Sequence, residues 1–209
     1  MDEREPILSV TFFRTETGRE PVREWLKSLP REERRIIGED IKMVQFGWPL
    51  GMPLVRKLAA GLWEVRSRLP GRIARVLFTA GEGRMILLHG FIKKSRKLRR
   101  KIWNWRRTGF GCYNNDMNKE HLGSDFDGFL KQEGLLAECE ASALKRVVAW
   151  QLEQEMKRRR ITRAKLASRM KTNLATLNGL FSETDSAVSL QLLEQAALAL
   201  GRKLKVELA

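Results

Sequence analysis

Leu62-Trp-Glu-Val-Arg-Ser-Arg68, Pro70-Gly71, Ile73-Ala-Arg-Val-Leu-Phe78, Gly81-Glu-Gly83 and Met85-Ile-Leu-Leu-His-Gly-Phe91 follow one another almost without a gap. Three apolar runs, rich in β-branched and aromatic residues, alternate with two glycine-bearing breaks. The runs read as strands and the breaks as hairpin turns, so this stretch predicts a small antiparallel sheet. Arg66 and Arg68 lie two residues apart and so share one face of their strand. Arg72 and Arg75, three apart, fall on opposite faces of the next strand. His89 stands at the end of the third.

Toward the N-terminus, Ile7 to Arg14 is β-branched and aromatic and predicts a further strand. Gly18-Arg-Glu-Pro21 follows, with Pro21 placed for the first turn of a helix through Trp25 and Leu26, which Pro30 stops. Arg31 to Phe46 carries Ile36, Ile37, Ile41 and Val44 at helical spacing, before a loop through Gly47, Pro49, Gly51 and Pro53. The β-α-α-β-β-β order predicts an α+β domain with helices packed on an antiparallel sheet.

Toward the C-terminus comes a basic stretch, Lys93 to Arg107, and then Gly109 to Asn118, rich in Gly and Asn and without periodicity. Everything beyond reads as helix: Ser124 to Glu133, then a longer one with Leu144, Val148, Leu152 and Met156 stacked every fourth residue. Short helices follow, with N-caps expected at Thr162, Thr172 and Ser189, a stop at Gly201 and one edge strand over Lys203 to Leu208. The expected organisation is an α+β domain over 1–108, a junction over 109–118 and an all-α domain over 119–209.

Charge sharpens that division. The 209 residues carry 40 Lys and Arg against 25 Asp and Glu, a formal +15. Residues 1–110 hold 25 basic and 12 acidic side chains, net +13, and residues 111–209 hold 15 and 13, net +2. A strongly basic domain meets a polyanion, because neutralising phosphates releases condensed counterions. No apolar run is long enough for a transmembrane helix and the acidic start is not that of a signal peptide, so a cytoplasmic protein without a membrane partner is expected. Cys112 and Cys139 make no disulfide framework or zinc cluster, and no phosphate-binding glycine loop, HExxH or GxSxG occurs, so neither metal nor cofactor is expected.

Arg66, Arg75 and His89, with Lys93 and Lys94 behind them, are the candidate catalytic set; Arg68, Arg72, Arg96 and Lys97 are the candidate RNA contacts. Cations gathered at one end of a sheet can hold a phosphodiester, activate its 2′-hydroxyl and steady the transition state. The alternatives are His89 as a hydrogen-bonded sheet residue, Trp63 as core, and Glu64 as a partner for neighbouring Arg.

Thr162 to Phe181 has helix-turn-helix spacing. Leu166, Ala167 and Met170 face inward from the first helix, and Leu177 and Leu180 from the second. In such a motif the second helix enters the major groove of DNA. Thr172, Asn173, Thr176 and Asn178 would approach bases, and Arg163, Lys165 and Lys171 phosphates. Lys171 stands at the turn, where a left-handed or reshaped backbone is needed. Lys157 to Arg160 reads equally as a phosphate clamp or a solvated helix end.

The strand sequences, with Gly71-Arg-Ile-Ala-Arg-Val-Leu-Phe78 and Leu87-Leu-His-Gly-Phe-Ile-Lys-Lys-Ser95, resemble HigB-type toxins of the phage-derived RelE/ParE superfamily over about residues 7–97. The resemblance implies cleavage of mRNA on the ribosome, with Arg75 at the scissile phosphate and Lys93-Lys94 near the substrate. After Ser95 the chain leaves that pattern. Residues 117–209, through His121-Leu-Gly-Ser-Asp-Phe126, Lys145-Arg-Val-Val-Ala-Trp-Gln-Leu152 and Leu193-Glu-Gln-Ala-Ala-Leu-Ala-Leu-Gly201, resemble HigA-like, Xre-type antitoxins. That implies operator DNA binding, a homodimer, and neutralisation through a toxin–antitoxin contact within or between chains. Together the resemblances describe a type II toxin–antitoxin module in one chain, with a metal-independent mRNA endoribonuclease at its N-terminus. A catalytically silent DNA-binding regulator and a gyrase-poisoning ParE-like toxin are the alternatives.

Overall fold

A computed structural model describes residues 7–92, 121–182 and 189–204. The chain divides into two compact units, one from Pro6 to Glu140 and one containing the residues from Ala141 onward.

In the first unit, β1 (Ser9–Phe13) leads to helices α1 (Pro21–Lys27) and α2 (Arg31–Gly47), then to strands β2 (Val55–Ala59), β3 (Leu62–Leu69), β4 (Arg72–Gly81) and β5 (Arg84–Ile92). A sixth strand, β6 (Leu122–Asp125), is followed by α3 (Phe126–Gln132) and by the start of α4 (Leu136–Arg158). The sheet order is β2-β3-β4-β5-β1-β6. The three central strands and their hairpins stand where the sequence puts them. Gly71 and Gly83 take positive φ, +69° and +71°, in the turns, the left-handed geometry that favours glycine.

The sheet is mixed, which corrects the antiparallel expectation: β1 runs parallel to β5. The two helices return the chain so that β2 starts against the direction of β1. Three hairpins then reverse it three times, leaving β5 aligned with β1. The helices bury Val22, Leu26, Ile37, Ile41 and Val44. Trp25 of α1 lies on Gly90 of β5, where an added Cβ would stand 2.0 Å from its ring.

The division between the units falls well beyond the sequence-based junction at 109–118, which itself lies outside the described residues. Residues 121–140 complete the first unit. Leu122 and Asp125 pair with Phe13 and Thr11, so the helix expected from Ser124 starts at Phe126 instead. Asp125 caps it by accepting the Gly128 N–H. Phe126 and Phe129 pack edge-on against Phe12, with ring centroids 5.7 and 5.4 Å away.

The second unit packs α4 with α5 (Arg163–Arg169), α6 (Leu174–Leu180) and α7 (Leu190–Ala199). Leu152, Met156, Leu166, Leu177, Leu180 and Ala196 are in its core. Leu144 is half exposed and leaves the apolar stripe expected for it. Thr162 and Ser189 cap α5 and α7 as expected. Asn173, not Thr172, caps α6, accepting the Thr176 N–H at 2.7 Å. Lys171 adopts φ +52°, the left-handed turn its position required. Lys203 and Leu204 are not in a strand, and the rest of that expected strand lies outside the described residues. Among the described residues, no helix is long and apolar enough to cross a membrane.

Candidate functional site

Strand alternation sorts the sheet's side chains. Trp63, Val65, Ser67 and Leu69 point to one face, where Trp63 packs with Trp48 and Phe78. Leu62, Glu64, Arg66 and Arg68 point to the other. Residues directly opposite across a ladder share a face. Arg66 pairs with Arg75 and Arg75 with Phe91; in the next row, Arg56 pairs with Glu64, Glu64 with Leu77 and Leu77 with His89. Four predicted residues, Arg66, Arg68, Arg75 and His89, are thereby brought onto one face. Leu62, Leu77, Ile86 and Leu88 form an apolar floor beside them.

At the centre is Glu64, completely buried and flanked by two arginines. Arg75 Nη1 donates to both carboxylate oxygens, at 2.7 and 3.0 Å, and Arg66 Nε stands 3.9 Å away. Glu64 is therefore a partner to its neighbours. The Nε atoms of Arg66 and Arg75 are buried and have no hydrogen-bond partner among the described residues. Two guanidiniums share one carboxylate, leaving one positive charge and two directional donors unmatched. His89 is exposed, its ring 5.6 Å from that of Phe91.

Arg72 is not part of this cluster. It lies on the helix-covered face and pairs with Glu33 of α2. Arg56 is an addition: exposed, opposite Glu64, on the strand Val55–Ala59, which the β-α-α-β-β-β expectation did not include. Lys93, Lys94, Arg96 and Lys97 lie outside the described residues. Among the described residues, no three His, Cys, Asp or Glu side chains gather in a way that could hold a metal ion.

In the second unit, Lys165, Lys171 and Thr176 are exposed and Thr172 is half-buried. The Asn173 side chain is spent on its cap. Arg163 is engaged internally: it donates to Glu153 at 2.6 Å and to Asn178 at 3.3 Å, and lies 4.6 Å over the Phe181 ring. Of the basic run at the end of α4, Arg158 and Arg159 donate to Glu155, as does Arg202, and Glu155 is held well below the usual carboxylate range. Those cations are partly occupied by one carboxylate of their own helix.

These features define a small α+β unit whose sheet is helix-covered on one side and lined with arginines on the other. Residues 24–103 match the family described as Phage derived protein Gp49-like (DUF891), a RelE/HigB-like toxin family. The matched stretch runs from within α1 through β5 and so contains every residue of the arginine cluster. No curated protein and no solved structure matches the chain.

Proposed function

We propose that the arginine-lined face binds and cuts RNA as a RelE-type toxin does, and that the C-terminal helices supply its restraint and bind operator DNA. The observation that carries the first part is the Arg66–Glu64–Arg75 arrangement. Two guanidiniums share one buried carboxylate, so one positive charge is left to meet an anion, and the Arg66 and Arg75 side chains are 25% and 13% exposed. A guanidinium presents a planar fork that matches phosphate in two hydrogen bonds. Phe91, partly buried and directly opposite Arg75, is an aromatic side chain on the same face against which a base could stack. In this reading Arg75 and Arg66 hold the scissile phosphate while the neighbouring 2′-hydroxyl attacks it, and His89, in the next row of side chains from Arg75 along the face, handles a proton. The message on the ribosome is the substrate.

The operator-binding part is supported by the spacing of α5 and α6 and by two exposed lysines, Lys165 at the start of α5 and Lys171 at the turn. A homodimer on DNA belongs to the same reading.

The test is message cleavage on translating ribosomes, by the full chain and by a chain ending at Glu140. The shorter chain should cleave and the full chain should not. Arg75→Ala should lower cleavage by roughly a hundred- to a thousand-fold, the usual loss when one preorganised donor is removed. Arg72→Ala, on the other face, should change it only a few-fold. Equal loss from both would reduce the site to diffuse attraction. No cleavage by either chain would leave a silent regulator.

A further inference from the structure

We propose that residues 121–140 are a separable clamp, held on residues 7–92 by an interface built like one between two chains. The clamp stays bound when the connection through residues 93–120 is cut, and then exchanges with an added copy of itself. This goes beyond the reading above, since a chain ending at Glu140 keeps the clamp, and it rests on ion pairs and ring contacts that do not involve Arg66 or Arg75.

Charge is the first reason. Residues 121–140 hold five acidic side chains and one lysine, net −4, whereas residues 7–92 hold 15 basic and 9 acidic, net +6. The ion pairs between them run one way: Arg31 to Glu138, Arg34 to Glu133, and Lys42 to both Asp127 at 2.8 Å and Glu140 at 3.0 Å. Such sorting of sign is how separate partners recognise each other. Lys42 is 1% exposed on α2. Its ammonium is paired with two carboxylates of the clamp, so with the clamp in place the cation is buried against acidic partners from that segment.

Geometry is the second. β6 adds to the outer edge of β1 over four residues, with the register slipping between Thr11 and Phe13. Adding a short strand to an exposed edge is a common mode of peptide capture. Phe126 and Phe129 anchor it against Phe12, and Cys139 closes on Gly38, where a Cβ would stand 2.9 Å from its sulfur. An apolar centre inside a charged rim is interface anatomy. The segment also carries its own helix start, since Asp125 caps α3 locally.

Gly123 supplies a selective lesion. A Cβ there would stand 2.5 Å from Glu20 Oε1 and 2.7 Å from the Phe12 carbonyl oxygen. The experiment places a specific protease site between Thr108 and Gly109 of the full chain, cuts it, and adds a fluorescent peptide of residues 119–141. The cut halves should co-elute at moderate salt. The peptide should enter the cut chain and be taken up at least tenfold less by the uncut chain, whose own clamp is tethered at high effective concentration. High salt should speed exchange. The Gly123→Val peptide should fail to enter, and Asp127→Asn should enter more weakly than the natural sequence.

Three results would overturn the proposal: loss of folding as soon as the chain is cut, no exchange short of denaturant, or equal entry of the Gly123→Val peptide. All are read as binding, so failure of the RNA reading, seen as absent cleavage, is a separate result.

Discussion

Burial pushes the Cys139 thiol up to about 12, and the nearby Glu39 carboxylate adds to the effect. The thiolate is the reactive form, so this thiol should be inert at pH 8. In a Cys112→Ser background, thiol labelling should follow unfolding of the first unit and nothing faster; rapid labelling of the native chain would contradict the packing on Gly38. A second expectation separates two neighbours. Asn173→Ala should cost about 1 kcal/mol of stability and Thr172→Ala clearly less, because only Asn173 accepts a helix N–H. Thermal melts of the two variants decide it; equal losses would remove the assigned cap. Much of the arginine face was legible at this scale. Parity alone puts Arg66 with Arg68 and separates Arg72 from Arg75, while the cross-strand register that joins Arg66 to Arg75 comes from the hairpin turn. Arg56 was not legible, because its strand begins among residues that the Pro53 loop obscures, and its place opposite Glu64 is fixed by long-range pairing.

The central hairpins could be read from sequence because their cause is local: alternation plus glycine at the turns. β6 could not. Leu-Gly-Ser-Asp has no alternation and little strand propensity, and it is a strand because β1 offers an edge and Glu20 offers a carboxylate. Burial works against the ionised form of Glu20, but the Ser124 hydroxyl and N–H, with Arg23 and Arg14, outweigh it and leave its pKa below the ordinary value. A depressed carboxylate stabilises the fold fully above its unfolded pKa, and that stability is lost as pH falls through the folded value. Glu20→Gln should therefore weaken the first unit by about 1–2 kcal/mol at neutral pH. The difference should shrink as pH falls below the ordinary value of 4.5. Denaturant melts of both chains at pH 7 and pH 3 measure it, and a gap that widens in acid would refute the assignment.

At the scale of the molecule, the structural division redistributes charge. Cut at residue 110, the C-terminal part is nearly neutral, at +2. Cut where the compact units meet, residues 6–140 hold 26 basic and 16 acidic side chains, net +10, and residues 141–209 hold 13 and 6, net +7. The acidic residues 121–140 had masked a basic helical unit. Composition could not reveal this, since the reassignment depends on Phe126 and Phe129 meeting Phe12 across more than a hundred residues of chain. A basic unit of that size suits the proposed DNA role, and salt dependence tests it. For the full chain on a duplex carrying its promoter, log affinity should fall linearly with log salt, by about 0.9 for each phosphate neutralised. Lys165 and Lys171 are exposed, so replacing either with Ala should reduce that slope by about 1. Arg163 is tied to Glu153, Asn178 and Phe181, so Arg163→Ala should lower melting temperature and leave the slope nearly unchanged. Fluorescence anisotropy across a salt series reads both slopes, with a random duplex as comparison. A slope near zero would remove DNA from the reading, and equal binding to both duplexes would leave attraction without recognition.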